Sequence, residues 1–205
     1  MTRIGIIDYG MGNLNSIIKS VERCHRKPVI IKNKGDYNLV NKIILPGVGA
    51  FFDGINNLEN LDLIDTLREM ADEGIPILGI CLGMQLFGSK GEEGGDTCGL
   101  NLIPGETKRL IPGVHSERIP HIGWNEVEIL KETPIFKNIS NNSDFYFIHS
   151  YHFLPDNPDN IVGTTPYCGG FVSIIQGKNI YGVQFHPEKS GTLGAKVINN
   201  FVVGI

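Results

Sequence analysis

One cysteine in the chain stands where a nucleophile would be built. In Ile77-Leu78-Gly79-Ile80-Cys81-Leu82-Gly83-Met84-Gln85-Leu86-Phe87 a short apolar run, strand-like, leads straight into a helical pattern. The junction residue is a cysteine with Gly79 and Gly83 two positions to either side. This is the nucleophile-elbow spacing, G-x-nucleophile-x-G, with Cys in place of Ser. So sharp a turn holds its central residue in strained backbone geometry and leaves no room for side chains at the two glycines. It also sets the sulfur at a helix N-terminus, whose partial positive charge stabilises a negative sulfur. The first helical amide, that of Leu82, is then placed to donate to an oxyanion. The competing reading is a buried structural cysteine beside two turn glycines, since cysteine is among the most buried residue types.

A cysteine nucleophile needs a base, most often a histidine held by a third group. Tyr181-Gly182-Val183-Gln184-Phe185-His186-Pro187-Glu188-Lys189-Ser190 offers one. Gly182 to Phe185 reads as a strand, and His186 leaves its end where Pro187 stops ladder pairing. His186 and Glu188 can then turn the same way, so that Glu188 accepts from one ring nitrogen while the other faces the thiol. In an α/β sheet functional groups gather at the carboxyl ends of strands, and Cys81 and His186 both fall there. A solvated surface turn is the plain alternative. His149 and His152, in Ile148-His149-Ser150-Tyr151-His152, are competing bases, and with His186 they are the raw material of a metal site. No compact ligand motif supports such a site, so neither a metal nor another cofactor is expected.

The elements that must position these residues are legible from the start of the chain. Segments 3–8 and 42–45 are short, Ile-rich and bounded by Gly or Pro, as buried parallel strands are. Between them, 13–25 carries Leu14, Ile17, Ile18 and Val21 at helical spacing, with Asn13 as its N-cap. Residues 54–73 repeat the pattern through Ile55, Leu58, Leu61, Ile64, Leu67 and Met70, and read as one helix ended by Gly74. Alternating strands and helices predict an α/β fold with a mixed, mostly parallel central sheet flanked by helices. After about residue 105, β-rich runs at 123–129, 145–149, 161–165, 171–176 and 180–185 predict antiparallel edge strands in the C-terminal half. A last helix spans 192–203. The 205 residues fit one domain, 1–205, because single cores extend to roughly 250–300 residues.

Composition removes several function classes. Acids outnumber the scattered Lys and Arg, for a net charge of −4, so no nucleic-acid footprint is present. No apolar run reaches the roughly 18–20 residues that span a bilayer, and an Asp within the first eight residues argues against a signal peptide. Cys24, Cys81, Cys98 and Cys168 show neither CxxC spacing nor a small disulfide framework, which points to a reducing cytoplasm.

Together, GICLGMQ at 79–85 and QFHPE at 184–188, in that order and about a hundred residues apart, resemble the class I (triad-type) glutamine amidotransferases. Further segments narrow the resemblance: IDYGMGNLNSI at 7–17, LPGVG at 45–49, PHIGWN at 120–125, YFIHSY at 146–151 and VQFHPEKSG at 183–191. They are similar to the glutaminases that serve a synthase making imidazole glycerol phosphate and AICAR in histidine biosynthesis. The resemblance runs from Ile4 to Phe201 and is weakest over 106–119. It implies that Cys81 forms a glutamyl thioester, His186 shuttles the proton and Glu188 orients the imidazole. It further implies an oxyanion hole from Val48, Gly49 and Leu82, and a glutamine site from Gly47, Gln85, His149, Ser150 and Tyr151. The implied partner is a (β/α)8-barrel synthase that receives the ammonia, docked near Asn13, Trp124, Tyr146 and Lys189. Each of those four has a plainer role open to it: a helix cap, a core aromatic, a strand tyrosine and a solvated charge.

Two alternatives are compatible with the same residues. A paralogous pathway, amidation of a surface-glycan sugar, would use the same glutamine site, and a non-catalytic binding protein would keep the fold without turnover. The loop Pro46-Gly47-Val48-Gly49 carries one more expectation. Glycines on both sides of Val48 tolerate φ > 0, so the peptide between them can present either a carbonyl or an amide toward Cys81 and serve as a switch.

Overall fold

The computed structural model describes residues 3–113 and 117–205, so part of the 106–119 stretch lies outside the described residues. The chain begins β1 (Ile4–Ile7), α1 (Leu14–Arg23), β2 (Val29–Ile31), β3 (Lys42–Gly47), α2 (Phe51–Asn60), α3 (Leu63–Asp72), β4 (Ile77–Cys81) and the single-turn α4 (Leu82–Gln85). Strands then dominate: β5 (Lys90–Gly91), β6 (Thr97–Cys98), β7 (Gly105–Arg109), β8 (His121–Ile129), β9 (Ser143–His149), β10 (Tyr151–Pro155), β11 (Ile161–Thr165), β12 (Phe171–Gly177) and β13 (Ile180–Val183). The helix α5 (Gly191–Gly204) closes the chain.

Nine strands form the main sheet in the order β2-β1-β3-β4-β13-β12-β11-β8-β9. Pairing is parallel from β2 to β13 and antiparallel from β13 to β9. The two halves meet where β4 pairs with β13, Ile80 opposite Val183, and that junction brings the two strands bearing the candidate chemistry side by side. Period-2 alternation sorts the apolar side chains to two faces. Ile4, Ile6, Ile44, Leu78 and Ile80 pack with Ile17 and Val21 of α1 and Val197, Ile198 and Phe201 of α5. Ile7, Ile43, Leu45 and Ile77 pack on the other face with Leu58 of α2 and Leu67 and Met70 of α3.

Three features depart from the sequence expectations. The single helix expected over 54–73 is two, because Asp62 takes a left-handed conformation (φ 55°) and turns the chain. The buried stripe restarts there: Leu63 is fully buried, whereas Leu61 and Ile64 are only half-buried. The three-residue β2 is too short to show a pattern of its own. A second sheet, β10-β7-β5-β6, covers the elbow from the side and was missed for the same reason, since β5 and β6 have two residues each. All four cysteines are free, and no helix among the described residues is long and apolar enough to cross a membrane.

Candidate active site

Cys81 ends β4 with φ 54° and ψ −110°, outside the conformations L-residues ordinarily hold. The glycines make this possible. A Cβ on Gly83 would lie 1.8 Å from the Leu45 carbonyl oxygen, and one on Gly79 would lie 2.5 Å from the Phe87 ring. The helix that follows is only one turn long, Leu82–Gln85, so the Leu82 amide is a local donor and not the head of a long dipole.

His186 leaves the end of β13 and is buried, and its Nδ1 lies 2.8 Å from Glu188 Oε1. The Glu188 side chain is itself buried, and its other oxygen has no partner among the described residues, so the carboxylate is directed at the imidazole. The main chain fixes the histidine. His186 N donates to Tyr146 O at 2.8 Å, and Ser190 Oγ donates to His186 O at 2.7 Å while accepting from Tyr146 N at 3.0 Å. His186 Nε2 is buried and makes no hydrogen bond among the described residues. Burial pulls its proton affinity down, but the Cys81 sulfur and then Glu188 outweigh that and lift the pKa to about 10. The arrangement therefore favours an imidazolium facing the sulfur.

The competing bases have other work. His149 Nδ1 lies 2.8 Å from the Tyr151 carbonyl and its Nε2 lies 3.1 Å from His121 Nδ1. A carbonyl only accepts, so Nδ1 carries the proton, Nε2 accepts from His121, and His121 Nε2 in turn accepts from Asn125 Nδ2 at 3.3 Å. Neither His149 nitrogen is left for Cys81. Burial lowers the His149 pKa to about 3 and that of His121 to about 4, so both are neutral near pH 7. Burial likewise lowers that of His152, which sits on β10 of the smaller sheet. Among the described residues no group of three or more His, Cys, Asp or Glu is arranged to hold a metal ion.

A cavity of about 530 Å³ opens over the sulfur, lined by Val48, Gly49, Cys81, Leu82, Gln85, His149, Ser150, Tyr151 and Lys189 among others. Gly47 lies beneath this cavity, in β3. Close approach explains the glycine: a Cβ there would lie 2.4 Å from Tyr9 Oη and 2.8 Å from Leu82 Cβ. Of the two glycines expected to free the Val48 peptide, only Gly49 takes positive φ, 117°. The loop is anchored at its start, where Tyr9 Oη donates to Pro46 O at 2.8 Å. Two residues went unread in the sequence. Glu93 is the one carboxylate lining the cavity among the described residues; burial pushes its carboxyl up, while the Phe51 amide, 3.3 Å from Oε2, pulls it back. Gln184 is wholly buried beside the sulfur. Glu93 sits in a polar loop without periodicity, and Gln184 hides within a strand-like run.

Asn13 caps α1, its side chain accepting from Ser16 N at 3.4 Å, and remains exposed. Trp124 is not in the core: it is 58% exposed. It pairs across β8–β9 with Tyr146, ring centroids 6.1 Å apart, beside the exposed Ile122–Ile148 pair. Lys189 Nζ lies 5.8 Å above the Tyr146 ring. Ile122, Trp124, Tyr146 and Ile148 thus make an outward apolar strip along the hairpin that carries His149 at its end.

Comparison with known proteins agrees with this geometry. Residues 5–205 match the family model described as glutamine amidotransferase class-I. The chain is 46% identical to the imidazole glycerol phosphate synthase subunit HisH of Moorella thermoacetica, over 98% of this chain and 94% of that one. It is 48% identical to the same-named protein of Methanocaldococcus jannaschii, over 97% and 98%. In fold it is similar to the structure of PurLQS from Thermotoga maritima (TM-score 0.76, 16% identity, 98% of this chain and 97% of that one). It is also similar to the crystal structure of a glutamine amidotransferase from the same organism (TM-score 0.65, 19% identity, 91% and 76%). A glutaminase, the chain belongs to the class I glutamine amidotransferases, in the branch of the HisH subunits of imidazole glycerol phosphate synthase.

Proposed function

We propose that Cys81 attacks the side-chain amide carbon of glutamine, with His186 as proton carrier and Glu188 as its orienting carboxylate. The observation that carries this reading is the strained Cys81 elbow on β4, set beside the buried His186–Glu188 pair at the end of the adjoining strand. The sulfur bonds to the amide carbon, and the resulting oxyanion is met by the Leu82 amide and an amide of the Val48–Gly49 loop. His186 gives its proton to the departing nitrogen, which leaves as ammonia, and a thioester remains. Water, losing a proton to His186, then attacks the thioester, releasing glutamate and returning the sulfur to its starting state.

The cavity supplies what the amino-acid head group needs. Gln85 Nε2 already donates to Tyr151 O (2.8 Å) and Gln184 Oε1 (3.1 Å), so its free end is the acceptor Oε1. With the Glu93 carboxylate it provides acceptors for the α-ammonium, while His149, Ser150 and Tyr151 border the rest. The test is an acid quench during turnover of labelled glutamine in the partner complex, followed by peptide mapping. A glutamyl thioester on the peptide containing Cys81 is expected; label on no cysteine, or on Cys24, Cys98 or Cys168, overturns the assignment.

The ammonia goes to a (β/α)8-barrel synthase of histidine biosynthesis, docked on the strip of Trp124, Tyr146 and Lys189 with Asn13 at its margin. The names of the relatives support a role within a synthase, and an exposed aromatic strip beside a reactive cavity supports the place of docking. The chain acts as one amidotransferase domain in a reducing cytoplasm, where Cys81 stays free for the chemistry.

A further inference from the structure

Cys81 is only 5% exposed, so the polar groups packed around its sulfur help decide which form it holds. Two lie within hydrogen-bond reach. The Ile148 carbonyl oxygen is 3.9 Å from Sγ, and an acceptor there favours a protonated S–H. Gln184 Nε2 is 3.6 Å from Sγ. Whether this end of the side chain donates depends on which way the amide lies, and the neighbours settle that.

The Tyr151 carbonyl can only accept, so the end of Gln85 lying 2.8 Å from it must be the NH2 group. That same NH2 lies 3.1 Å from Gln184, so the Gln184 atom it meets must be the oxygen. The opposite end of Gln184, toward Cys81, is therefore an NH2 group.

We propose that Gln184 is a positioning residue of the glutaminase reaction, holding the Cys81 sulfur in its anionic form through a hydrogen bond donated from Nε2. The inference rests on the reading of Cys81 as nucleophile. Without Gln184 the sulfur keeps the Ile148 acceptor and loses an opposing donor, so the balance moves toward S–H. The same donor assists twice in one turnover. It supports the sulfur before attack, and again when the thioester breaks and the sulfur leaves as an anion. While the thioester exists the sulfur is neutral and the bond contributes little, so the intermediate is not over-stabilised. The titratable groups facing the sulfur are His186, backed by Glu188, from the end of β13, and Tyr9 from the end of β1. Changing Gln184 leaves all three in place.

The test is the rate of Cys81 alkylation by iodoacetamide as a function of pH, read on the Cys81 peptide because Cys98 is exposed. Gln184→Met keeps the volume and removes the donor. Hydrogen bonds to charged groups are strong enough that the midpoint of the rate profile should rise by about one pH unit, with alkylation on the acidic side of the midpoint about tenfold slower. Glutamine kcat/KM in the partner complex should fall in parallel, through kcat and not KM. Gln184→Glu decides the matter if Gln184→Met does not fold: it keeps the shape and the acceptor for Gln85 but sets a carboxylate against the sulfur. It should react more slowly still. A folded variant whose Cys81 alkylates with the wild-type rate and midpoint overturns the proposal. Full glutamine hydrolysis by Cys81→Ser would instead overturn the reading beneath it, whatever Gln184 does.

Discussion

Replacing Trp124 by alanine should separate docking from folding. The residue is 58% exposed, so of the roughly 250 Å² a tryptophan can bury, about 145 Å² is open to a partner. At about 25 cal/mol per Å² that area corresponds to about 3.6 kcal/mol as an upper bound. Ordering and imperfect pairing at the interface consume part of it, leaving about 2–3 kcal/mol, within the range of a hot spot. Affinity for the synthase should thus fall about 30- to 150-fold. Folding should hardly notice, because the ring's main intramolecular contact is the edge-on pair with Tyr146, and such pairs contribute about 0.5–1.5 kcal/mol. Calorimetric titration of the variant with the synthase, beside thermal unfolding of the isolated chain, measures both quantities. Unchanged affinity would remove Trp124 from the docking face. A collapsed melting temperature would mean the ring supports the fold, contrary to its exposure.

Three further outcomes follow from the site. His186→Asn should lower glutamine turnover by about 10²–10⁴-fold and Glu188→Gln by less, since the carboxylate orients the imidazole without itself exchanging protons; the reverse order in steady-state kinetics would exchange their roles, and His149→Asn or His152→Asn should retain more activity than His186→Asn. Acid should destabilise the fold as pH drops from 6.5 toward 4: His149 and His121 stay neutral when folded, their pKa values lowered to about 3 and 4, whereas the unfolded chain binds those protons. Each proton adds a slope of about 1.4 kcal/mol per pH unit, and denaturant titrations of His149→Asn across that range should show one proton fewer; an unchanged slope would contradict the neutral pair. Turnover by the isolated chain should be slow and rise when the liganded synthase docks, because one missing oxyanion donor costs roughly 10²–10³-fold; full activity without the synthase, or an unaltered response in Gly49→Pro, would remove the loop at Val48 and Gly49 as the switch.

The elbow and its base were legible because each is local and demanding. Gly79 and Gly83 are there to avoid Phe87 and the Leu45 carbonyl, and such collisions write themselves into sequence as fixed spacing. The long apolar strands were legible by composition, but their order was not, since β13 comes to lie beside β4 only through tertiary pairing. What escaped notice was set by tertiary contact. Nothing in a run of spaced leucines reveals that Asp62 turns the chain between α2 and α3. The roles of His149 and Gln184 depend on which carbonyls lie opposite them, and those contacts exist only once the strands are paired. Trp124 shows the same limit from the other side: alternation along β8 says that it opposes its neighbours, but not which face meets water. Packing of the opposite face decides that, where Phe145 and Phe147 of β9 stack against the buried Phe185.

The central claim is that Cys81 releases the ammonia that a partner consumes, and one pair of assays on a single variant addresses it. Cys81→Ala, reconstituted with the synthase, should show no glutamine-dependent activity, because without the sulfur there is no covalent route to ammonia. The same complex should make its product at the wild-type rate when ammonium salt is supplied. Glutamine-dependent activity comparable to wild type in that variant would contradict the account outright.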